Sequence, residues 1–238
     1  MDLQGRACIV TGSTRGIGFA VADSLVRAGA HVVVNSRSAP DVERVSEELN
    51  SLNEGRVTGI AADVSKAEDC VRLVESSVGE LGRLDVLVNN AGVGIFASIE
   101  DLSIDEWQTQ LDTNLLGVFA CSKAGVPHLK ATKGWIINVG SLACRNPFAG
   151  GTGYNASKFG LLGMTEAMML DLRQSGIRVS IIMPGSVNTH FAGQEMVSDR
   201  AWALGPGDVA SATLHLLTYR DDAHVSRVEM RPSRPPAR

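Results

Sequence analysis

The sequence predicts an α/β domain: a doubly wound, parallel, seven-stranded sheet with helices on both faces. Two observations predict it. Short apolar runs alternate with longer helical patterns almost to the end of the chain. The first of these runs passes directly into a glycine-rich turn, Thr11-Gly12-Ser13-Thr14-Arg15-Gly16-Ile17-Gly18, that opens a helical pattern. Strand candidates are 7–11, 31–35, 56–62, 84–89, 135–140, 177–183 and 226–230. Helix candidates are 16–28, 40–52, 67–81, 104–131, 152–174 and 206–218. Strands this apolar are buried on both faces, as in a parallel sheet between helix layers. No repeat and no Pro/Gly-rich linker divides the chain. The reading is one domain over 1–230, then an unstructured tail, 231–238, with three prolines and three arginines.

Composition narrows the function classes. Of 238 residues, 44% are hydrophobic and 20% charged, as in ordinary soluble domains. A net charge of −4 gives no electrostatic reason to expect nucleic acid or an anionic membrane as partner. Cys8, Cys70, Cys121 and Cys144 are far apart, which argues against a zinc site and a disulfide framework and fits a reducing compartment. The amino terminus lacks the basic-then-apolar pattern of a secretion signal, and no apolar run approaches the ~18–20 residues of a membrane span. A cytoplasmic location is expected.

The glycine turn joins a strand to a helix, where backbone N–H groups and the helix N-terminus can hold a phosphate. Gly12 permits the tight turn, and Gly16 and Gly18 allow close approach without a Cβ in the way. The second strand ends in Asn35-Ser36-Arg37-Ser38, without the carboxylate that usually accepts hydrogen bonds from an adenosine ribose. A 2′-phosphate is repelled by acid and attracted by a guanidinium. Arg37, with Arg15 as a second charge, therefore points to NADP(H) rather than NAD(H); the alternative is a merely solvated Arg37.

Further along, Asp63-Val64 closes the third strand, where an adenine or a helix cap would sit. Asn89-Asn90-Ala91-Gly92 ends the fourth strand with small residues that let a cofactor lie against backbone, or with an amide that ties strands together. Asn114 interrupts a long helical pattern, marking either a kink or a buried hydrogen-bonding role. Ser141 follows the fifth strand and stands thirteen positions before Tyr154. Tyr154 and Lys158 are one turn apart on a helix and project together. An ammonium near a phenol favours the phenolate, so the pair reads as a proton donor–acceptor; a Tyr packed over a Lys stem is the alternative. Pro184-Gly185-Ser186-Val187-Asn188-Thr189 offers polar groups to a carboxamide. Phe191, Met196 and Trp202 read either as an apolar lid or as core.

In this order and spacing the motifs resemble the short-chain dehydrogenase/reductase family in its compact single-domain form, over about residues 3–218. The nearest likeness is to the 3-oxoacyl-acyl-carrier-protein reductases and their relatives. The resemblance implies a Rossmann-type fold and an NADP(H)-dependent oxidoreductase acting on a carbonyl or secondary alcohol. A 3-oxoacyl thioester on CoA or an acyl carrier protein is one candidate substrate, and a small cyclic or aromatic ketone is another. It also implies roles. Tyr154 is the general acid in reduction and base in oxidation. Lys158 lowers its pKa and binds the nicotinamide ribose, Ser141 holds the carbonyl oxygen, and Asn114 anchors a proton-relaying water. Asp63 and Val64 meet the adenine, Asn90, Ala91 and Gly92 the adenosine ribose, and Pro184, Val187 and Thr189 the carboxamide.

Two departures stand out. The segment 188–205 is short, which suggests a smaller lid and a more open pocket, with walls including Gly94, Ala143, Arg145, Phe148, Ser186 and Phe191. The C-terminus ends Val228-Glu229-Met230-Arg231-Pro232 instead of the family's usual Asp-Gly-Gly, which leaves homodimer and homotetramer both open.

Overall fold

A computed structural model of the chain describes residues 2–193 and 201–235. Seven strands form one sheet: β1 (Ala7–Val10), β2 (His31–Ser36), β3 (Arg56–Ala61), β4 (Val86–Asn89), β5 (Trp135–Val139), β6 (Arg178–Pro184) and β7 (Arg227–Met230). Its order is β3-β2-β1-β4-β5-β6-β7, parallel throughout. The winding reverses between β1 and β4, so the carboxyl ends of these strands open a crevice there.

Strand side chains alternate between two buried layers. Cys8 and Val10 of β1, with Val32 and Val34 of β2, face a core formed with Val21 and Leu25 of α1 (Gly16–Arg27), Val45 and Leu49 of α2 (Ala39–Asn50), and Val209 and Leu216 of α7 (Pro206–Leu216). Ile9 and Val33 face the opposite core. There they meet Leu73 and Val74 of α3 (Ala67–Leu81), Cys121 and Leu129 of α5 (Gly117–Thr132), and Met168 of α6 (Thr152–Leu172). Burial on both faces, inferred from the apolar runs, holds for the central strands; β3 and β7, at the edges, are partly exposed along their length.

The helical pattern over 104–131 is divided in the structure. α4 (Ile104–Leu111), begun by the Ser103/Glu106 capping box, passes through a π turn at Asp112–Leu116 before α5 continues. Asn114 sits on that turn, buried and hydrogen-bonded, so the buried hydrogen-bonding role is the one present.

A buried polar chain ties the sheet to its helices. Asn89 donates to Asn138 Oδ1 (2.9 Å) and Ser122 Oγ (3.1 Å), and Asn138 donates to Thr165 (2.9 Å). All four cysteines are free and buried. No described helix is long and apolar enough to cross a membrane. The tail carries no helix or strand over 231–235, yet Arg231 pairs with Glu229 (3.2 Å) and Pro232 lies beside Gly185; 236–238 lie outside the described residues.

Candidate active site

A cleft of about 810 Å³ runs along the carboxyl edge of the sheet, from Arg37 after β2 to Tyr154 and Lys158 on α6. At its centre the glycine turn is fastened to the end of β4. Asn90 Nδ2 donates to the carbonyls of Thr11 (2.9 Å) and Gly12 (3.0 Å), while Thr11 Oγ1 accepts from Asn90 N and Ala91 N, both at 3.0 Å. Gly12 has φ +62°, and a Cβ there would stand 2.8 Å from Ala91 Cα. A Cβ on Gly18 would collide with the Gly12 carbonyl oxygen and Asn90 Nδ2. Helix α1 begins without a side-chain cap or an acidic residue in its first turn. Its leading N–H groups therefore lack intrahelical partners at the wall formed by Thr14, Arg15, Gly16, Ile17 and Gly18. This wall suits a pyrophosphate.

Ser13 departs from the expected cradle. Its side chain is fully buried: Oγ donates to Val10 O (2.7 Å) and accepts from Asn35 N (2.9 Å), and its backbone N–H reaches Asn35 O (2.9 Å). It joins the β1 turn to β2 and has no hydroxyl left for a ligand.

At the outer end Arg15 and Arg37 are exposed on the cleft and make no ion pair among the described residues. Arg44 of α2, not anticipated from the sequence, also lines this end but is paired with Asp41 (3.7 Å) and Glu48 (3.4 Å). No carboxylate ends β2; Asn35 instead donates to Ile60 O (3.1 Å) and Ala62 O (3.2 Å) and steadies the β3 end. Asp63 and Val64 line the cleft, and Asp63 Oδ1 accepts from Ser65 N (3.1 Å) and Oγ (2.8 Å) in the turn before α3.

The chemistry-bearing end draws on four elements. Tyr154 and Lys158, both buried, lie in the first turns of α6. Lys158 Nζ donates to Val139 O at the end of β5 (3.1 Å) and stands 5.8 Å from the Tyr154 ring centroid. Ser141, just past β5, accepts from Ala143 N (3.1 Å), so its hydroxyl is fixed at the cleft wall. Asn114 is placed behind the cleft, its side chain bonded to Val93 and Ser157. Gly92, Asn90, Ala91, Pro184, Val187 and Thr189 complete the wall.

Electrostatics here differ from the sequence reading. Burial pushes the Tyr154 phenol up to about 12, while the Ser141 hydroxyl beside it works in the opposite direction. Burial lowers Lys158. Desolvation favours the neutral form of each group, and the side chain that lowers the phenol is Ser141 rather than Lys158.

The pocket walls are also rearranged. Gly94 and Phe191 line the cleft as expected. Arg145 instead pairs with Glu229 of β7 (2.7 Å), and Ser186 is exposed, its carbonyl accepting from Leu204 N (3.0 Å). Ala143 and Phe148 do not line the cleft and are held by Asn155: its Nδ2 donates to Ala143 O (2.9 Å) and its Oδ1 accepts from Phe148 N (3.3 Å). Trp202 is half-buried and does not line the cleft; Met196 lies outside the described residues. Phe96, which no sequence pattern singles out, stands edge-on to the Tyr154 ring with centroids 5.4 Å apart.

Comparison with known proteins finds relatives over most of the chain. A family model described as short chain dehydrogenase matches residues 6–199. The chain is 41% identical over 193 residues to dehydrogenase/reductase SDR family member 4 of Bos taurus, covering 80% of this chain and 68% of that protein. It superposes with TM-score 0.92 and 30% identity on an alcohol dehydrogenase of the archaeon Thermococcus sibiricus solved with 5-hydroxy-NADP, covering 98% and 99% of the two chains. A metagenomic short-chain oxidoreductase solved with NADP gives TM-score 0.86 at 35% identity, covering 98% and 99%.

Proposed function

The chain belongs to the short-chain dehydrogenase/reductase family, and from that premise we propose that it is an NADP(H)-dependent oxidoreductase interconverting a carbonyl and a secondary alcohol. The observation that carries this reading is the placing of Tyr154, Lys158 and Ser141 at one end of a cleft whose other end presents Arg15 and Arg37. The cleft fits the cofactor. It offers uncapped N–H groups for a pyrophosphate, glycines where a Cβ would crowd the turn, and cations without a carboxylate at the β2 end. NADP-bound structural relatives support the same choice.

When bound, the cofactor supplies or accepts a hydride at nicotinamide C4. The chain's own residues position the substrate and handle the proton. Ser141, oriented by Ala143 N, holds the carbonyl oxygen. Tyr154 delivers the phenolic proton to that oxygen in reduction and recovers it in oxidation. Burial keeps the phenol protonated, which suits the donor role. Lys158, fixed by Val139 O, binds the nicotinamide ribose and passes protons to a water held near Asn114 on the π turn. Among the described residues no group of His, Cys, Asp or Glu is arranged to hold a metal, and this scheme uses none.

Exposed Leu116, Phe119, Phe159 and Leu170 on the π turn, α5 and α6 support assembly as a homodimer through those helices. Sedimentation analysis expects a dimer that Phe119→Asp dissociates; a monomeric wild-type protein contradicts it. The catalytic reading is tested with a panel of carbonyl compounds, 3-oxoacyl thioesters included, by following NADPH absorbance. Turnover of at least one ketone supports it, and tight NADPH binding with no turnover of any carbonyl contradicts it.

A further inference from the structure

The loop that follows β4 is fastened at every second residue. Val93 N donates to Asn114 Oδ1 (2.8 Å), Ile95 N donates to Gln110 Oε1 (3.1 Å), and Ala97 bridges to Gly151 at the head of α6. Gln110, near the end of α4, stands four residues before Asn114, so the two amides share a helix face. Four helical residues rise about 6 Å and two extended residues about 6.6 Å. The spacings match, and each amide meets one N–H of the loop. Asn114 has a place in the proton path above; Gln110 has none.

Gln110 is fully buried, and burying an amide costs stability wherever its hydrogen bonds are not made. The Ile95 N–H fixes the amide's orientation: it needs the oxygen, which turns Nε2 toward α6. A Cβ on Gly153 would collide with Nε2 there, and among the described residues Nε2 has no hydrogen-bond partner. The contribution of Gln110 is therefore its bond to Ile95 and its contact with Gly153. Both lead to the site. Gly94 and Ile95 line the cleft, and the Phe96 ring meets the Tyr154 ring edge-on. Gly153 is the residue before Tyr154 on α6.

We infer that Gln110 is a positioning residue for the reaction, setting the cleft wall at Gly94 and Ile95 against the turn of α6 that carries Tyr154. The inference rests on the carbonyl-reductase reading above. Asn114 and the Ala97 bridge hold the loop at its two ends, and Gln110 fixes the middle, where the loop borders the cleft. Without that bond the middle shifts relative to Tyr154 while both ends stay tied. Such a shift acts on rate more than on cofactor affinity, because a misplacement of about 1 Å can cost up to ~10²-fold.

Gln110→Met keeps length and bulk and removes the acceptor. Single-turnover reduction of the best ketone in the panel above is measured per bound NADPH, so that unfolded protein does not enter the rate. The expected rate is about tenfold below wild type, with the Kd for NADPH within about threefold. Gln110→Glu restores an acceptor oxygen at the same reach, and burial keeps its carboxyl protonated in mildly acidic buffer. There its rate returns to within about threefold of wild type. Gly153→Ala presses on the amide from the α6 side while favouring the helix, and slows the reaction likewise. Should Gln110→Met fail to fold, Gly153→Ala decides. A rate per bound NADPH within about twofold of wild type in the deciding variant overturns the inference and leaves the reductase reading intact. So does a Gln110→Glu rate no better than that of Gln110→Met. A wild-type protein that binds NADPH and reduces no ketone overturns both.

Discussion

Asn114 grips the peptide groups of Val93 from both sides, its Oδ1 accepting from Val93 N at 2.8 Å and its Nδ2 donating to Val93 O at 2.9 Å. The same Nδ2 reaches Ser157 Oγ on α6 at 3.0 Å. One side chain on a π turn therefore sets the loop after β4 against the helix that carries Tyr154 and Lys158. Gly92 lies in the crook, where a Cβ would stand 3.2 Å from Asn114 Oδ1 and 3.8 Å from Lys158 Nζ.

Replacing Asn114 with Ala leaves the Val93 N–H and carbonyl without these partners in a part-buried loop. The expected loss is about 2 kcal/mol, read as a fall in Tm on the order of 5 °C in thermal denaturation. An unchanged Tm would show that the clamp is dispensable.

The phenol pushed up to about 12 sets opposite pH dependences for the two directions. Reduction needs the protonated phenol, so its rate is flat across neutral pH and falls only in alkali. Oxidation needs the phenolate, so its rate rises with pH through the alkaline range. Initial rates in both directions against pH check this; an oxidation rate that falls from neutral to alkaline pH contradicts it.

Arg37→Ala removes a cation from the end of β2. With a charge-assisted contact contributing about 1.5–3 kcal/mol, the Kd for NADPH rises roughly 10- to 100-fold while that for NADH changes little. Fluorescence titration with both cofactors measures it, and equal changes for the two would remove Arg37 from 2′-phosphate recognition.

Gly18→Ala forces a methyl group against the Gly12 carbonyl and the Asn90 amide, both backed by hydrogen bonds. Moving either loosens the turn at the head of α1. A lower Tm together with weakened NADPH binding is expected, and a variant indistinguishable from wild type in both measurements contradicts this packing.

The strands were legible because a parallel sheet buries both faces, which leaves apolar runs of period-independent strength; each lies within two residues of its expected bounds. The site was legible where one turn of chain carries the chemistry, as in Gly12–Gly18 and the Tyr154/Lys158 pair. What the sequence hid depends on partners distant along the chain. Ser13 looks like a turn hydroxyl until Asn35, 22 positions on, claims it. Arg145 looks like a pocket wall until Glu229, 84 positions on, neutralises it. Phe96 sits in a loop without periodicity, and only the fold brings it to Tyr154. The rise in the phenol's pKa was hidden too, because i, i+4 spacing reveals a neighbouring amine but not the burial that raises the phenol.

Tyr154→Phe removes one hydroxyl and keeps the ring that packs against Phe96. Measuring NADPH affinity and single-turnover ketone reduction on this variant tests the assignment most directly. The account predicts a Kd for NADPH within about threefold of wild type and a reduction rate lower by roughly 10²–10⁴-fold, the share general-acid catalysis commonly supplies. A variant that binds NADPH and still reduces ketone within tenfold of the wild-type rate would contradict it.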